Sequence, residues 1–366
     1  MKIQIENKFI GEDSPCFIVA EVGINHNGDI NIAKKMINIS AEAGCDAVKF
    51  QNFKTKLMYP KSAGKLDWED NKGKYSYDIF ENVKKFEYPE EWIDELKDYC
   101  KKKNIIFFSS ASDEESADLL YKKGIKLFKT TSYAITHLPL IEHIAKKGLP
   151  IIMSTGGSNL QEIKEAYEIV RKYNKRIAIL HCVAKYPTPL EYANLNVIDT
   201  LKKEFPQAII GYSDHTEDSV KAPIAAIVKG AKIIEKHITL DRKMKGPDHF
   251  FAIEPNELKK MVKAIRETEN KIKKGEKIKV DEKILGSGER KILDIEKYIR
   301  DFAYSIIFTK KKIKKGELFT KDNLLILRRG KREKGLDPKE WFNLINKKRA
   351  NKNLEIEHVL KKEDFD

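Results

Sequence analysis

Between Phe17 and Ile238 the chain repeats one unit eight times: a short run of β-branched and aromatic residues, then a charged stretch with helical spacing. The runs are FIVAEVG (17–23), AVKFQ (47–51), IIFFSS (105–110), LFKTTS (127–132), IIMST (151–155), IAILHC (177–182), AIIGYSD (208–214) and KIIEKHI (232–238). Near-continuous apolar strands alternating with amphipathic helices belong to βα units in a parallel sheet, whose strands are covered on both faces. Eight such units over roughly 250 residues predict an α/β fold of the (β/α)8 type, the TIM barrel. A doubly wound sheet is the alternative, but that fold places a glycine-rich phosphate turn after its first strand. No GxGxxG occurs here.

The barrel domain is assigned to residues 1–275. After the last helical stretch (257–273) the chain becomes charged and glycine-interrupted, KIKKGEKIKVDEKILGSGERK, which reads as a linker over 276–302. Residues 303–366 switch to short strands and turns and form a second domain, small enough to need docking against another surface. One barrel interval is too long. The stretch KLMYPKSAGKLDWEDNKGKYSYDIF (56–80) is an insertion after the second strand, either a lid on the catalytic face or an ornamental surface loop.

No apolar run approaches the ~18 residues that cross a bilayer, and MKIQIENKFIGED lacks the apolar centre of a signal peptide, so a soluble cytoplasmic protein without membrane contact is expected. Cys16, Cys45, Cys100 and Cys182 form no CxxC pair and sit in or beside apolar stretches, which predicts reduced packing residues. The net charge of +14 comes from scattered lysines without a nucleic-acid-binding motif; its expected consequence is a field that gathers a small polyanion.

The informative residues are polar ones that end apolar strands, because burying them costs free energy unless something uses them. They recur on every strand: Glu21, then Lys49 and Gln51, Ser110, Lys129 and Ser132, Ser154, His181, Ser213 and His215, Lys236 and His237. In a barrel these positions ring the catalytic mouth. Two lysines with several hydroxyls suit a ligand carrying both a phosphate and a carboxylate. His181 reads as a satisfied core histidine. His215 and His237, with Asp214 and Glu235 nearby to orient them, read as ligands of a divalent metal with positions left open.

These residues lie in EVGINHNGD (21–29), DAVKFQNFK (46–54), HCVAKYPTPLEYANL (181–195), GYSDHT (211–216) and EKHITLDRKMKGPDH (235–249). Over essentially the whole chain they resemble the sialic acid (N-acetylneuraminate) synthase family; AKYP and the IRDFAY-like stretch are shared with its spore-coat polysaccharide branch. The resemblance implies a (β/α)8 barrel with a C-terminal antifreeze-like (SAF) domain. It implies an enzyme that condenses phosphoenolpyruvate with an N-acetylmannosamine-like amino sugar, giving a nonulosonic acid and phosphate for surface or spore-coat polysaccharide. In that reading His215 and His237 hold a divalent metal, commonly Mn2+ with Mg2+ as the alternative, which polarises the aldehyde. Lys49, Ser110, Lys129, Ser132, Ser154 and Ser213 hold phosphoenolpyruvate, Glu21 is an acid/base or orienting group, and Gln51, Tyr186 and Asp248 contact the sugar. The resemblance further implies a domain-swapped homodimer in which Arg328 reaches the partner's sugar site; the bland reading of Arg328 is a solvated turn residue. Two departures stand out: KTTSYA puts Ala134 where the family has glutamate, and Ser305 replaces a basic residue. The competing readings are a metal-dependent barrel aldolase or isomerase, and a catalytically altered paralogue that binds sugar or a partner through its C-terminal domain.

Overall fold

The computed structural model describes residues 1–70 and 73–366; the tip of the insertion, 71–72, lies outside the described residues. Eight parallel strands close into a barrel: β1 (Phe17–Gly23), β2 (Ala47–Asn52), β3 (Ile106–Ala111), β4 (Phe128–Thr130), β5 (Ile151–Ser154), β6 (Ile177–Cys182), β7 (Ile209–Asp214) and β8 (Ile233–His237), with β8 pairing back onto β1. The doubly wound alternative is thereby excluded. Every expected strand is present, with edges shifted by at most two residues.

Strand alternation explains the sequence pattern. Phe17, Val19, Ala47, Ile106, Phe108, Leu127, Ile152, Ala178, Leu180, Ile209 and Ile233 pack together inside the barrel. Their neighbours Ile18, Ala20, Val48, Phe107, Ile151, Ile179 and Ile234 face the helices outside. An N-terminal hairpin (Lys2–Ile5 with Lys8–Gly11) closes the bottom, adding Ile3, Ile5 and Ile10 to the inner cluster. Carrying the same parity two residues further, or four on β7, brings Glu21, Lys49, Ser110, Lys129, Ser154, Ser213 and Glu235 into the barrel above that apolar plug.

The outer helices are capped where the sequence supplies the residues. In the helix Ile30–Ala43 the Asp29 side chain accepts from Asn31 N, and Gly44 ends it at φ 84°. In Leu160–Tyr173 Asn159 and Glu162 form a reciprocal capping box.

The insertion folds into a short helix (Thr55–Met58), a hairpin (Lys65–Asp70 with Gly73–Asp78) and a second short helix (Ile79–Lys84). Phe53, Met58, Tyr59, Ala63, Ile79 and Phe80 give it an apolar cluster of its own, against which Phe302 packs. The stretch read as a linker is not loose. Ile284, Arg290 and Glu296 are buried, and the helix Lys297–Ala303 leads into the C-terminal domain.

That domain pairs β9 (Ser305–Thr309) with β10 (Leu324–Arg328) antiparallel over a core including Ile307, Phe319, Leu324 and Leu360. It docks on the barrel of its own chain. Glu357 accepts from the backbone of Lys61 and Ser62 at 2.8 and 3.0 Å, and Lys331 N donates to Ala63 O at 2.8 Å. Gly330 permits this approach: at φ +61°, a Cβ there would lie 2.7 Å from Ala63 O.

Candidate active site

At the C-terminal ends of the strands the inward polar residues form two tiers. In the lower tier Glu21, Lys49, Lys129 and Glu235 are each no more than 4% exposed. Strand register sets the contacts, since Glu21 lies opposite Lys49 across β1–β2 and Ser213 opposite Glu235 across β7–β8. Lys49 Nζ sits 2.8 Å from Glu21 Oε2. Lys49 Nζ and Lys129 Nζ both approach Glu235 Oε1 at 3.7 Å. Ser213 Oγ donates to that same oxygen at 3.1 Å, and Lys129 Nζ donates to Ser154 Oγ at 2.6 Å. Ser132 Oγ accepts from Gly156 N at 3.0 Å. Ser110 Oγ is buried without a hydrogen-bond partner among the described residues, as is Glu235 Oε2.

Burial and charge work against each other here. Burial depresses Lys129 below its ordinary value, with Glu235 opposing it. Burial would do the same to Lys49, but Glu21 and then Glu235 more than offset it and hold that ammonium above its usual range. Glu21 is raised by burial in spite of Lys49. Glu235, despite equal burial, is held below the carboxylate range by Lys129 and Lys49. Two carboxylates and two ammonium groups therefore balance inside the barrel.

The upper tier opens into a cavity of about 410 Å³. Gln51, Tyr186, His237 and Asp248 lie along it, Met58, Tyr59 and Ile79 come from the insertion, and Ile295, Ile299 and Phe302 from the segment read as a linker. The insertion is thus a wall of the cavity rather than an ornament. Gln51 Nε2 donates to Glu21 Oε1 at 2.8 Å and ties the tiers together. Burial, then the charge of Glu21, pushes Asp248 up to about 7. Arg328 of the same chain also lines the cavity, its guanidinium over the rings of Tyr133 (4.9 Å) and Tyr59 (5.7 Å). The solvated-turn reading of Arg328 therefore fails. Lys49 and Lys129 do not line this cavity; they meet beneath it, at Glu235.

His215 and His237 face each other with ring centroids 5.5 Å apart. His215 Nδ1 lies 2.8 Å from the Val183 carbonyl, which can only accept, so Nδ1 carries a proton; burial would lower this ring's pKa, but Cys182, its Sγ 3.7 Å from Nδ1, more than offsets that and holds it above the ordinary histidine value. His237 Nδ1 is buried with no hydrogen-bond partner among the described residues. Its pKa is held well below the ordinary histidine value, first by burial and then by His215, which keeps the ring neutral as a ligand must be. Among the described residues no group of three or more His, Cys, Asp or Glu is gathered to hold a metal. The two imidazoles are nonetheless of the donor type that a divalent ion takes, and binding one there would require His215 to be neutral.

Three assignments change. Asp214 does not orient His215: it accepts from Lys236 Nζ at 2.7 Å, Thr216 N at 2.8 Å and Tyr212 Oη at 3.1 Å. Glu235 serves the lysines rather than His237, whose nearest carboxylate is Asp248, Oδ2 at 3.9 Å from Nδ1. Lys236 leaves the mouth ring for its buried pair with Asp214. His181 is a core residue, its Nε2 2.7 Å from Ala193 O and its ring stacked on Tyr212. Sequence reasoning missed Tyr133, whose hydroxyl donates to Tyr186 Oη at 2.8 Å beneath Arg328; an aromatic beside a family departure was the available signal. The two departures, Ala134 and Ser305, line one small crevice together with Arg328.

The NeuB family model matches residues 36–277. The spore coat polysaccharide biosynthesis protein SpsE of Bacillus subtilis is 48% identical over 343 residues, covering 93% of this chain and 91% of that protein. Its crystal structure superposes with a TM-score of 0.89 at 45% identity, covering 100% of this chain and 99% of that one. The N,N'-diacetyllegionaminic acid synthase of Legionella pneumophila is 37% identical, covering 92% of this chain and 90% of that enzyme.

Proposed function

On the premise that this chain belongs to the NeuB family, we propose that it condenses phosphoenolpyruvate with an N-acetylmannosamine-like amino sugar. The products are a nonulosonic acid and phosphate, made in the cytoplasm for surface or spore-coat polysaccharide. One observation carries the reading: two buried ammonium groups converge at 3.7 Å on a single carboxylate oxygen, with the hydroxyls of Ser154, Ser213 and Ser110 around them. An enol ester bearing phosphate and carboxylate has the charge and the acceptors that such a nest satisfies.

The residues divide the work. Lys49 and Lys129, with Ser110, Ser132, Ser154 and Ser213, bind the anionic groups and offset the charge that develops as phosphate leaves. Glu21, its carboxyl raised by burial and held by Gln51, is suited to take a proton from the water that adds at C2. Gln51, Tyr186, Asp248 and Arg328 orient the open-chain sugar, and the apolar walls exclude water from it. A manganese or magnesium ion fits His215 and His237, and when bound it would supply Lewis acidity toward the aldehyde. The scheme includes a domain-swapped homodimer, in which each C-terminal domain would bring its Arg328 to the sugar cavity of the barrel it caps.

Release of inorganic phosphate from phosphoenolpyruvate should require both an N-acylated amino sugar and a divalent cation. A panel of such sugars, read by product mass, identifies the preferred one. Binding of a sugar with no phosphate release at any metal concentration would establish instead the altered-paralogue reading, which Ala134 favours. Turnover of an aldehyde without phosphoenolpyruvate would establish the aldolase or isomerase reading.

A further inference from the structure

We propose that Arg290, Glu296, Arg300 and Tyr304 form a strap that positions the loop after β5, and through it the anion-binding end of the site. The ligand's identity rests on the synthase reading above; the strap rests on geometry alone. The loop Thr155–Ser158 directly follows Ser154. Its backbone is held by side chains from a segment more than 130 residues away. Arg290 Nη2 donates to Thr155 O. Tyr304 Oη donates to Gly156 O at 3.0 Å, Gly157 N donates to Glu296 Oε1 at 2.7 Å, and Arg300 Nη1 donates to Gly157 O at 2.5 Å.

The strap also reaches the loop after β6. Glu296 Oε1 accepts from Ala184 N at 2.8 Å, and Arg290 Nη1 donates to Cys182 O at 3.3 Å. Glu296 is fully buried and Arg290 is 7% exposed. Charged groups that deep are costly unless they are used. Glu296 is used completely: its second oxygen accepts from Leu293 N at 2.9 Å, so three backbone N–H groups surround one carboxylate.

The loop needs this support because it contains two glycines in succession, the least ordered backbone a chain can offer. Gly156 cannot be replaced by a stiffer residue, since a Cβ would lie 2.8 Å from Cys182 Sγ and 3.0 Å from Ser132 Oγ; Gly157 sits at φ +65°. The loop in turn fixes two site hydroxyls. Gly156 N holds Ser132 Oγ at 3.0 Å, and Ser154, one residue before Thr155, holds Lys129 at 2.6 Å. The four strap side chains touch no reacting atom; they are positioning residues, and residues 1–275 alone lack them.

The test uses the full chain and two readouts. Calorimetric titration with phosphoenolpyruvate should show Glu296→Ala weakened roughly tenfold or more and Glu296→Gln largely rescued, because an amide oxygen still accepts from Gly157 and Ala184. Tyr304→Phe, which removes one hydroxyl and leaves the packing, should weaken binding about threefold. Amide hydrogen exchange of the peptide covering 154–158 should quicken in Glu296→Ala and Tyr304→Phe without ligand. Affinity within twofold of wild type together with unchanged exchange overturns the strap, and Tyr304→Phe alone decides the matter if Glu296→Ala does not fold. A wild-type chain that binds no phosphoenolpyruvate would instead remove the synthase reading, and the exchange experiment would still judge the strap.

Discussion

Replacing Glu235 by glutamine tests the lower tier most directly, because stability and ligand affinity should move in opposite directions. The substitution keeps the shape and leaves Lys49 and Lys129 facing Glu21 alone, an excess of one positive charge inside the barrel. At an effective dielectric near 20, unit charges about 4 Å apart attract by about 4 kcal/mol. Burial of the partners, no more than 4% exposed, removes solvent screening from the comparison. Breaking a buried pair by removing one partner costs about 3–5 kcal/mol, and that is the expected loss in a urea titration of ligand-free Glu235→Gln at pH 7. Phosphoenolpyruvate should recover most of it, because the anion supplies the missing charge without competing against Glu235. The stabilisation at saturating ligand, which follows RT ln(1 + [L]/Kd), should then exceed the wild-type value by a few kcal/mol. The loss should shrink as pH is raised, since Lys129, already depressed by burial, loses the support of Glu235 and sheds its proton more readily. Equal stability of variant and wild type, or equal stabilisation of both by phosphoenolpyruvate, would refute Glu235 as the counter-ion that the ligand displaces.

His215→Ala and His237→Ala should each abolish metal-dependent turnover and weaken Mn2+ binding, followed by the manganese electron paramagnetic resonance signal; unchanged binding in His237→Ala removes the ligand assignment. Arg328→Lys keeps the charge but loses the planar group lying over Tyr133 and Tyr59, so KM for the sugar should rise roughly tenfold while phosphoenolpyruvate affinity holds. Equal effects on both ligands would count against a sugar contact. His26 and His181 are fully buried, and burial holds them down at about 4 and about 3. Their folded pKa values lie below the unfolded value of about 6.5, so the stability they contribute is complete above that pH and is lost as pH falls toward 4 and 3. The urea midpoint should decline steadily below pH ~6.5; a flat midpoint between pH 7 and 5 would contradict the neutral burial of these rings.

The barrel was legible because each strand repeats a two-residue pattern that ends in a polar group, and closure then follows from the count of eight. Helix and strand edges drifted by a residue or two, since fraying and capping rather than hydrophobic pattern decide them. That the segment 276–302 packs against the barrel was hidden in the sequence for a physical reason. Its burial runs through Arg290 and Glu296, and charged residues bonded to backbone groups look in a sequence like solvated ones. The cavity wall was hidden likewise, because Met58, Tyr59 and Phe302 are apolar for the sake of contacts with segments distant in sequence.

Two of the three errors in the site, those at Asp214 and Lys236, originate in strand geometry. Adjacent residues on a strand point to opposite faces, so the dipeptides Asp214–His215 and Lys236–His237 cannot act as neighbours, however close they stand in sequence. Residues two apart share a face: Ser213 with His215, Glu235 with His237, Lys49 with Gln51. The first of each pair lies in the ion-paired tier or borders it, and the second reaches the cavity or the facing imidazoles. Asp214 and Lys236 share the other face, where they pair at 2.7 Å and hold the turn after β7 through Thr216 and Asp218. Those bonds fix the backbone at the point from which His215 projects. Asp214→Asn, by leaving Lys236 buried and unpaired, should therefore disturb the His215–His237 geometry and weaken Mn2+ binding while phosphoenolpyruvate affinity, set by the inward tier, changes little. Loss of phosphoenolpyruvate affinity with intact metal binding would mean that the two faces of β7 and β8 do not divide the chemistry in this way.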